Sequence, residues 1–318
     1  MHNGKDDTLA IIDLGTQSAL YLFSDRHNGR LRFGRQALRH VRLGENLYRS
    51  RLIGDKPLQR AVDALKDFAA LARADGARQV LATGTRVFRW AENGASAAAQ
   101  ISLQTGIPFI ILNEDEEARY GYAGATAGRA NDATATCVID IGGGSTELSF
   151  GRGPRLTESI SLDIGAVGLT EKWADTGGER TAVALPSGQT VPWRQRLKES
   201  SHLLGVAGTV TTLAALKLGL TQYDAARVDG CQLHADEIAQ FIARFSQMDT
   251  AARRNHVAMA PERADILLAG AVILSEIMQI GGKGPLTVSD RGLRHGLAQA
   301  YFNGLWPEEQ QNLRRDKP

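Results

Sequence analysis

The chain has 318 residues, 43% of them hydrophobic and 23% charged, with a formal net charge of +2. That length predicts two domains or one large one with ample core, and the composition excludes a disordered chain or a membrane protein. No apolar run approaches the roughly 20 residues that cross a bilayer, the N-terminus lacks an apolar signal core, and two cysteines are too few for a disulfide framework, so the cytoplasm is the economical location.

The chain opens with strand-like TLAIIDLG (8–15) and SALYLFSD (18–25), joined by a turn at Gly15 to Gln17. This resembles a β-hairpin whose turn faces a ligand. From Arg26 to Arg60, ten Lys or Arg residues stand against two acids, Glu45 and Asp55. They form either solvated faces of strands and a helix, or a positive surface that steers a polyanion into a cleft. Nucleic acid is not favoured, because the segment lacks interleaved aromatics and no recognition motif accompanies it. Apolar residues at 58, 61, 62, 65, 68, 69 and 72 have a helical period. RQVLATGT (78–85) reads as a strand, NGASAAAQISLQTG (93–106) as a helix ending at glycine, PFIILNE (108–114) as a strand and EDEEARYGYAGATAG (114–128) as a helix.

After the polar linker GRANDAT (128–134) the pattern restarts with CVIDIGGGSTELSFG (137–151). Glycine reaches positive φ without a side-chain clash and lets backbone N–H groups approach a ligand. Successive N–H groups in such a turn form an electropositive nest for phosphate oxygens. The flanking Asp140 and Glu147 make sense if a divalent cation such as Mg2+ lies between carboxylate and phosphate. A glycine-rich hairpin with solvated acids at its ends fits the same run. Asp13-Leu14-Gly15-Thr16 aligns with Asp140-Ile141-Gly142-Gly143 at an offset of 127 residues, which suggests duplication around an interdomain phosphate site. HLLGVAGTVTTLAAL (202–216) reads as strand, turn at Gly208-Thr209 and helix. RADILLAGAVILSEIMQIGG (263–282) reads as a helix and PLTVSDRGLRHGL (285–297) as a strand. Residues 174–197 look like a surface excursion and 308–318 like a frayed end.

Seven ordered motifs carry a resemblance: AIIDLGTQS, RWAEN, GIPFIILNEDEEAR, VIDIGGGSTELSFG, DIGAVGLTE, GVAGTVTTLAAL and VSDRGLRHGL. Together, over residues 9–302, they resemble the exopolyphosphatase / guanosine pentaphosphate phosphatase (Ppx/GppA) family in its short two-domain form. The resemblance implies an α/β chain of two RNase H-like domains. Their fold would be the actin-like ATPase fold, shared by sugar kinases, heat-shock ATPases and actin, with an interdomain cleft. The domains would span 1–126 and 127–298, with a C-terminal helix over 299–318 rejoining the first. A homodimer would be unsurprising for such a short form.

Matched motif by motif, Glu117 takes the place of the family's catalytic carboxylate, which orients or deprotonates the attacking water. Asp140 and Glu147 match the acidic pair that serves metal and water, and Asp13 holds the equivalent place in the first loop, so a Mg2+ or another divalent cation is expected on these three. Backbone groups of Gly15, Thr16, Gln17 and Ser18, of Gly142, Gly143, Gly144 and Ser145, and of Gly208 and Thr209 would cradle phosphate, with Arg89 as a side-chain contact. Plainer readings stand beside these: Glu117 as a first-turn helix acid, Asp13 shaping its loop, Arg89 and Arg119 as ion-pair partners. Arg263 and Arg294 could reach distal substrate or serve structure, His295 reads as a packing residue, and Cys231 with His234 lacks a second pair for zinc.

Two positions depart from the family pattern: Leu20 stands where a basic residue is usual, and Gly168 where Gly-Ala-Val-Arg is usual. The basic stretch 26–60 is expected to replace these cations in part for a long polyanion. The leading expectation is a Mg2+-dependent hydrolase that releases terminal orthophosphate from inorganic polyphosphate, with guanosine pentaphosphate 5′-phosphohydrolysis as the alternative. An actin-fold kinase or ATPase is disfavoured by the Glu-Glu-Ala-Arg helix, and a non-catalytic polyphosphate or alarmone sensor by the retained carboxylates. Neither nucleic acid nor membrane is expected as a partner.

Overall fold

The computed structural model describes residues 7–129, 134–178, 182–186, 193–257, 260–282 and 284–305. The first sheet contains β1 (Thr8–Leu14), β2 (Ser18–His27), β3 (Arg30–His40), β4 (Gln79–Gly84) and β5 (Phe109–Ile111), in the order β3-β2-β1-β4-β5. The second contains β6 (Ala135–Ile141), β7 (Thr146–Arg152), β8 (Arg155–Leu162), β9 (His202–Val206), β10 (Gln232–Leu233) and β11 (Leu286–Val288), in the order β10-β11-β9-β6-β7-β8. Each sheet is thus an antiparallel meander whose first strand pairs in parallel with a later one, β1 with β4 and β6 with β9. The repeat read from Asp-x-Gly therefore extends to whole sheets.

The central strands are apolar on both faces because both faces are covered. Along β1, Ala10, Ile12 and Leu14 join one core with Leu65 and Phe68 of the helix Asp55–Ala74 and Ile101 of the helix Gly94–Thr105. The alternate residues Leu9 and Ile11 pack with Tyr120, Leu297 and Tyr301 on the other face. The helix Glu114–Thr126 touches both halves: Tyr120 belongs to that first-sheet cluster, while Tyr122 and Ala125 pack with Val138, Leu204 and Val206. The final helix Leu293–Phe302 crosses it at close range. A Cβ on Gly296 would lie 1.8 Å from the Tyr120 carbonyl oxygen, so only glycine permits that crossing.

Some sequence expectations change here. The run 285–297 is not one strand: β11 has three residues, and Ser289 Oγ accepts the Arg291 N–H (3.2 Å) in a turn that hands the chain to the final helix. Among the described residues of 174–197, Leu185, Trp193 and Leu197 are buried in the second core, so those parts are anchored rather than superficial. Of the expected helix 299–318, residues 299–302 belong to the helix that packs on the first sheet, while 306–318, including the expected frayed end, lie outside the described residues, as do 130–133 of the linker. Among the described residues no helix is long and apolar enough to cross a membrane.

Candidate active site

Two turns close identically. Gly15 N–H donates to Ser18 O (3.0 Å) and Gly142 N–H to Ser145 O (2.9 Å). Among the described residues, the N–H groups of Thr16 and Gln17, and of Gly143, Gly144 and Ser145, donate to no backbone carbonyl. Buried or half-buried N–H groups left unpaired in this way are available to an anion. The Gln17 side-chain amide adds a further buried donor, Nε2, with no hydrogen-bond partner.

A third donor set stands at the helix Ala207–Lys217, which follows β9 directly and has no side-chain N-cap. Its first-turn N–H groups, Gly208 and Thr209 included, lack intrahelical acceptors. Ala207 sits at φ +64°, a left-handed conformation that a non-glycine residue adopts only when its surroundings impose it. Gly208 has no side chain because Arg263 lies against it: a Cβ there would be 1.9 Å from the guanidinium carbon. Among the described residues Arg263 is paired with no carboxylate, and burial lowers its pKa.

The carboxylates come from four elements. Asp13 and Asp140 occupy equivalent places near the ends of β1 and β6, and Glu147 of β7 stands directly opposite Asp140. Glu117 enters from the helix Glu114–Thr126. There the capping box consumes Glu116: its Oε2 accepts the Asn113 N–H (3.0 Å) while Asn113 Oδ1 accepts the Glu116 N–H (2.9 Å). Glu117, one residue on, faces another way and meets Arg89, whose Nη1 lies 2.7 Å from Glu117 Oε2 and 2.8 Å from the Leu112 carbonyl. Arg89, expected on phosphate, is thus placed on the Glu117 carboxylate.

Burial raises the proton affinity of all four acids, and the like charge of neighbouring carboxylates adds to it at Glu117 and Asp140. Burial lifts Asp13 to about 6, against the lowering influence of Arg294 and the Thr83 hydroxyl. Burial and then the neighbouring charge of Glu147 raise Glu117, and burial, Glu147 and Asp13 raise Asp140. Glu147 is raised by burial although Ser161 Oγ donates to its Oε1 at 3.0 Å. Four neighbouring acids, Asp13 buried and Asp140, Glu147 and Glu117 half-buried, form a hard-oxygen donor set of the kind a divalent cation neutralises. Among the described residues no three of these groups close into a preformed metal cage. That arrangement fits Mg2+, which typically takes one or two carboxylates together with substrate phosphates and water.

Leu20 is the strand partner of Asp13, as Glu147 is of Asp140, so the first half lacks the second acid at that place. The cation near Asp13 is instead Arg294, whose Nη1 also donates to Tyr21 O at 2.8 Å. Six of the ten cations in the basic stretch are paired: Arg32 with Asp25, Arg35 with Asp75, Arg39 with Asp67, Arg42 with Asp265, Arg49 with Asp175 and Arg60 with Glu45. Of the two readings the sequence left open, this pairing fits solvated faces of strands and a helix rather than a bare positive surface. His295 is buried edge-on against Phe33, with centroids 4.7 Å apart, in keeping with packing.

Two residues escaped the sequence reading, His40 and Tyr48. His40 Nδ1 lies 3.3 Å from Ser18 Oγ, and its Nε2 lies 3.7 Å from Glu262 of the second half. Burial and the nearby Arg263 hold its pKa down at about 4, so the ring is neutral. The Tyr48 hydroxyl donates to Gly144 O of the second turn. No sequence spacing signals either residue, since each acts across a contact made only in the folded chain.

The doubled sheets, facing turns and inward acids define a class: two RNase H-like units of the actin-like ATPase fold around a shared acidic centre. The chain belongs to the Ppx/GppA phosphatase family, whose model matches residues 25–301, and it is a phosphatase-type hydrolase. Exopolyphosphatase 2 of Mycobacterium tuberculosis is 29% identical over 314 residues, covering 91% of this chain and 97% of that protein. The crystal structure of the Aquifex aeolicus Ppx/GppA family member is 26% identical with a TM-score of 0.73, over 99% of this chain and 100% of that one. An exopolyphosphatase from Cytophaga hutchinsonii, at 20% identity, shares the fold with a TM-score of 0.79 over 94% of this chain and 98% of that one.

Proposed function

We propose that this chain releases terminal orthophosphate from inorganic polyphosphate by water attack, with a divalent cation bound. The observation that carries the reading is the gathering of four carboxyl groups beside two touching turns whose N–H groups donate to no backbone carbonyl. Phosphoryl transfer asks of a protein mainly positioning and charge neutralisation, and that is what these groups supply. The N–H groups of Thr16 and Gln17, of Gly143 to Ser145, and of Gly208 and Thr209 bind phosphate oxygens, and Arg263 adds a cation beside the last pair. Glu117, steadied by Arg89, takes the proton of the attacking water. Its raised pKa suits a general base working near neutral pH. Asp140 and Glu147, with Asp13, hold the cation. When bound, that cation neutralises charge on the phosphate and polarises it.

The 29% identity to a mycobacterial exopolyphosphatase over nearly its whole length supports polyphosphate as the substrate. The test is phosphate release from long-chain polyphosphate with Mg2+, comparing wild type with Glu117→Gln. Release by wild type and a loss of about a hundredfold or more in the variant, the scale of general-base catalysis, support the assignment. Binding of polyphosphate without release by wild type refutes it in favour of a sensor.

A further inference from the structure

The second phosphate turn works only if its N–H groups point at the ligand. A trans peptide unit holds its N–H opposite its C=O, so whatever grips a carbonyl also aims the next residue's N–H the other way. The Gly142 carbonyl accepts Ala166 N–H at 2.9 Å, which aims the N–H of Gly143. The Gly143 carbonyl accepts Val167 N–H (2.8 Å) and Gly168 N–H (3.2 Å), which aims that of Gly144. Both grips come from the start of the helix Ala166–Asp175, in the same half. The third carbonyl, Gly144 O, is gripped by the Tyr48 hydroxyl, which comes from the other half of the molecule.

Tyr48 has a prepared seat. A Cβ on Gly168 would lie 2.5 Å from two of its ring carbons and 2.8 Å from its hydroxyl oxygen, so the ring occupies the space that glycine leaves. Trp90 lies against the ring with centroids 5.0 Å apart, and the Arg51 guanidinium sits 3.9 Å over Trp90. On either side of Tyr48 the segment is tied to the same helix: Asn46 N–H donates to Glu171 Oε1 (3.2 Å) and Arg49 pairs with Asp175. Burial raises the pKa of the Tyr48 hydroxyl, which keeps it a donor.

We propose that Tyr48 is a positioning residue for phosphate binding, aiming the Ser145 N–H by holding the Gly144 carbonyl across the cleft, and that Gly168 is glycine to seat it. The proposal rests on the phosphohydrolase reading and adds a coupling to it: the second cradle is complete only when the two halves are together. The missing cation at 168 is then no gap to be refilled, because an arginine there displaces Tyr48.

The test compares wild type with Tyr48→Phe, which keeps the ring and loses only the hydroxyl. One donor misaimed in both substrate-bound and transition states is uniform binding lost, so KM for polyphosphate should rise about tenfold with kcat within about twofold. The affinity for inorganic phosphate, measured by calorimetry, should fall by the same factor, with the melting temperature lowered by no more than the few degrees that one lost hydrogen bond costs. Gly168→Ala and Gly168→Arg should weaken phosphate binding in the wild-type background, and Gly168→Ala should add nothing in a Tyr48→Ala background. Wild-type KM and phosphate affinity in Tyr48→Phe overturn the proposal, as does a Gly168→Ala effect that survives Tyr48→Ala. Should Tyr48→Ala not fold, Tyr48→Phe alone decides. If wild type releases no phosphate, the phosphohydrolase reading fails, and the phosphate affinities still decide for or against Tyr48.

Discussion

The turns after β1 and β6 share their closure and differ in what holds and surrounds them. In the first, Thr16 O accepts Gly44 N–H (2.9 Å), and Gln17 O accepts Val41 N–H (3.1 Å) and Arg42 N–H (3.0 Å), all from the same half. In the second, the carbonyl equivalent to Gln17 O is Gly144 O, and its partner is Tyr48 of the other half. Opposite Asp13 stands Leu20; opposite Asp140 stands Glu147. Asp13 has the offsetting charge of Arg294, whereas the charges acting on Asp140 are the like charges of Glu147 and Asp13. A duplicated scaffold has thus diverged: the first turn is held from within its own half, and the second carries the concentrated acid and takes one of its grips from the other half.

The sharpest way to break that comparison is to neutralise one acid at a time. Asp140→Asn and Glu147→Gln should each lower kcat for phosphate release by about a hundredfold or more, since both lie where acid-base work and cation binding are concentrated. Asp13→Asn, its charge already offset by Arg294, should cost about tenfold. Steady-state kinetics at saturating Mg2+ distinguishes them. Equal losses at Asp13 and Asp140 would mean that the halves contribute alike and that the asymmetry has no catalytic meaning.

A smaller effect should appear in stability. Free carboxylates titrate near 4, whereas in the folded chain Asp13 is raised to about 6 and Asp140 is raised as well. Above pH 4 the folded state therefore holds protons that the unfolded state has lost, and the stability this confers drains away as pH rises through the folded-state pKa values. In the metal-free protein the melting temperature should fall between pH 5 and pH 8, and Asp140→Asn should flatten that fall. At pH 8 the variant should melt higher than wild type, by about 2–4 °C for each kcal/mol of repulsion relieved. Scanning calorimetry at the two pH values is the measurement; parallel slopes would show that Asp140 is not held in the strained, repelled state described. Function and stability oppose each other at this site, as is usual where like charges are gathered for chemistry.

The sequence made some of this legible and left the rest unreadable for physical reasons. Asp-x-Gly after an apolar strand, seen twice, carried the duplication, because strand-turn geometry is local and glycine marks it. Glu117 was legible through its motif, and its inward aim follows from a capping box whose members are three residues apart. Arg89 was named but its partner was not, since Glu117 lies 28 positions away along the chain. Tyr48 and His40 gave no signal: their partners Gly144 and Glu262 belong to the opposite half, and only tertiary closure brings them together. The run 285–297 was misread because a three-residue strand and the start of a helix share one apolar stretch, divided by a turn that Ser289 closes.

The weakest expected effect concerns the basic stretch, where composition and structure pull apart. A run of arginines along β3 suggests a path for a polyanion, and a long chain reaching past the cleft would need one. Yet the structure gives Arg32, Arg35 and Arg39 each an acid, Asp25, Asp75 and Asp67, within 3.5 Å. A cation so paired offers a distant anion only a dipole, and exposed pairs of this kind hold each other by about 1 kcal/mol or less in screened solvent. Replacing the three with glutamine should therefore change KM for long-chain polyphosphate by less than about twofold at physiological salt. The same variant assayed on triphosphate supplies the control, because a short substrate has no chain to lay along the length of β3. A tenfold rise confined to long chains would reverse the conclusion: the pairs would then be opening to receive phosphate, and the first half would be guiding as well as cradling its substrate.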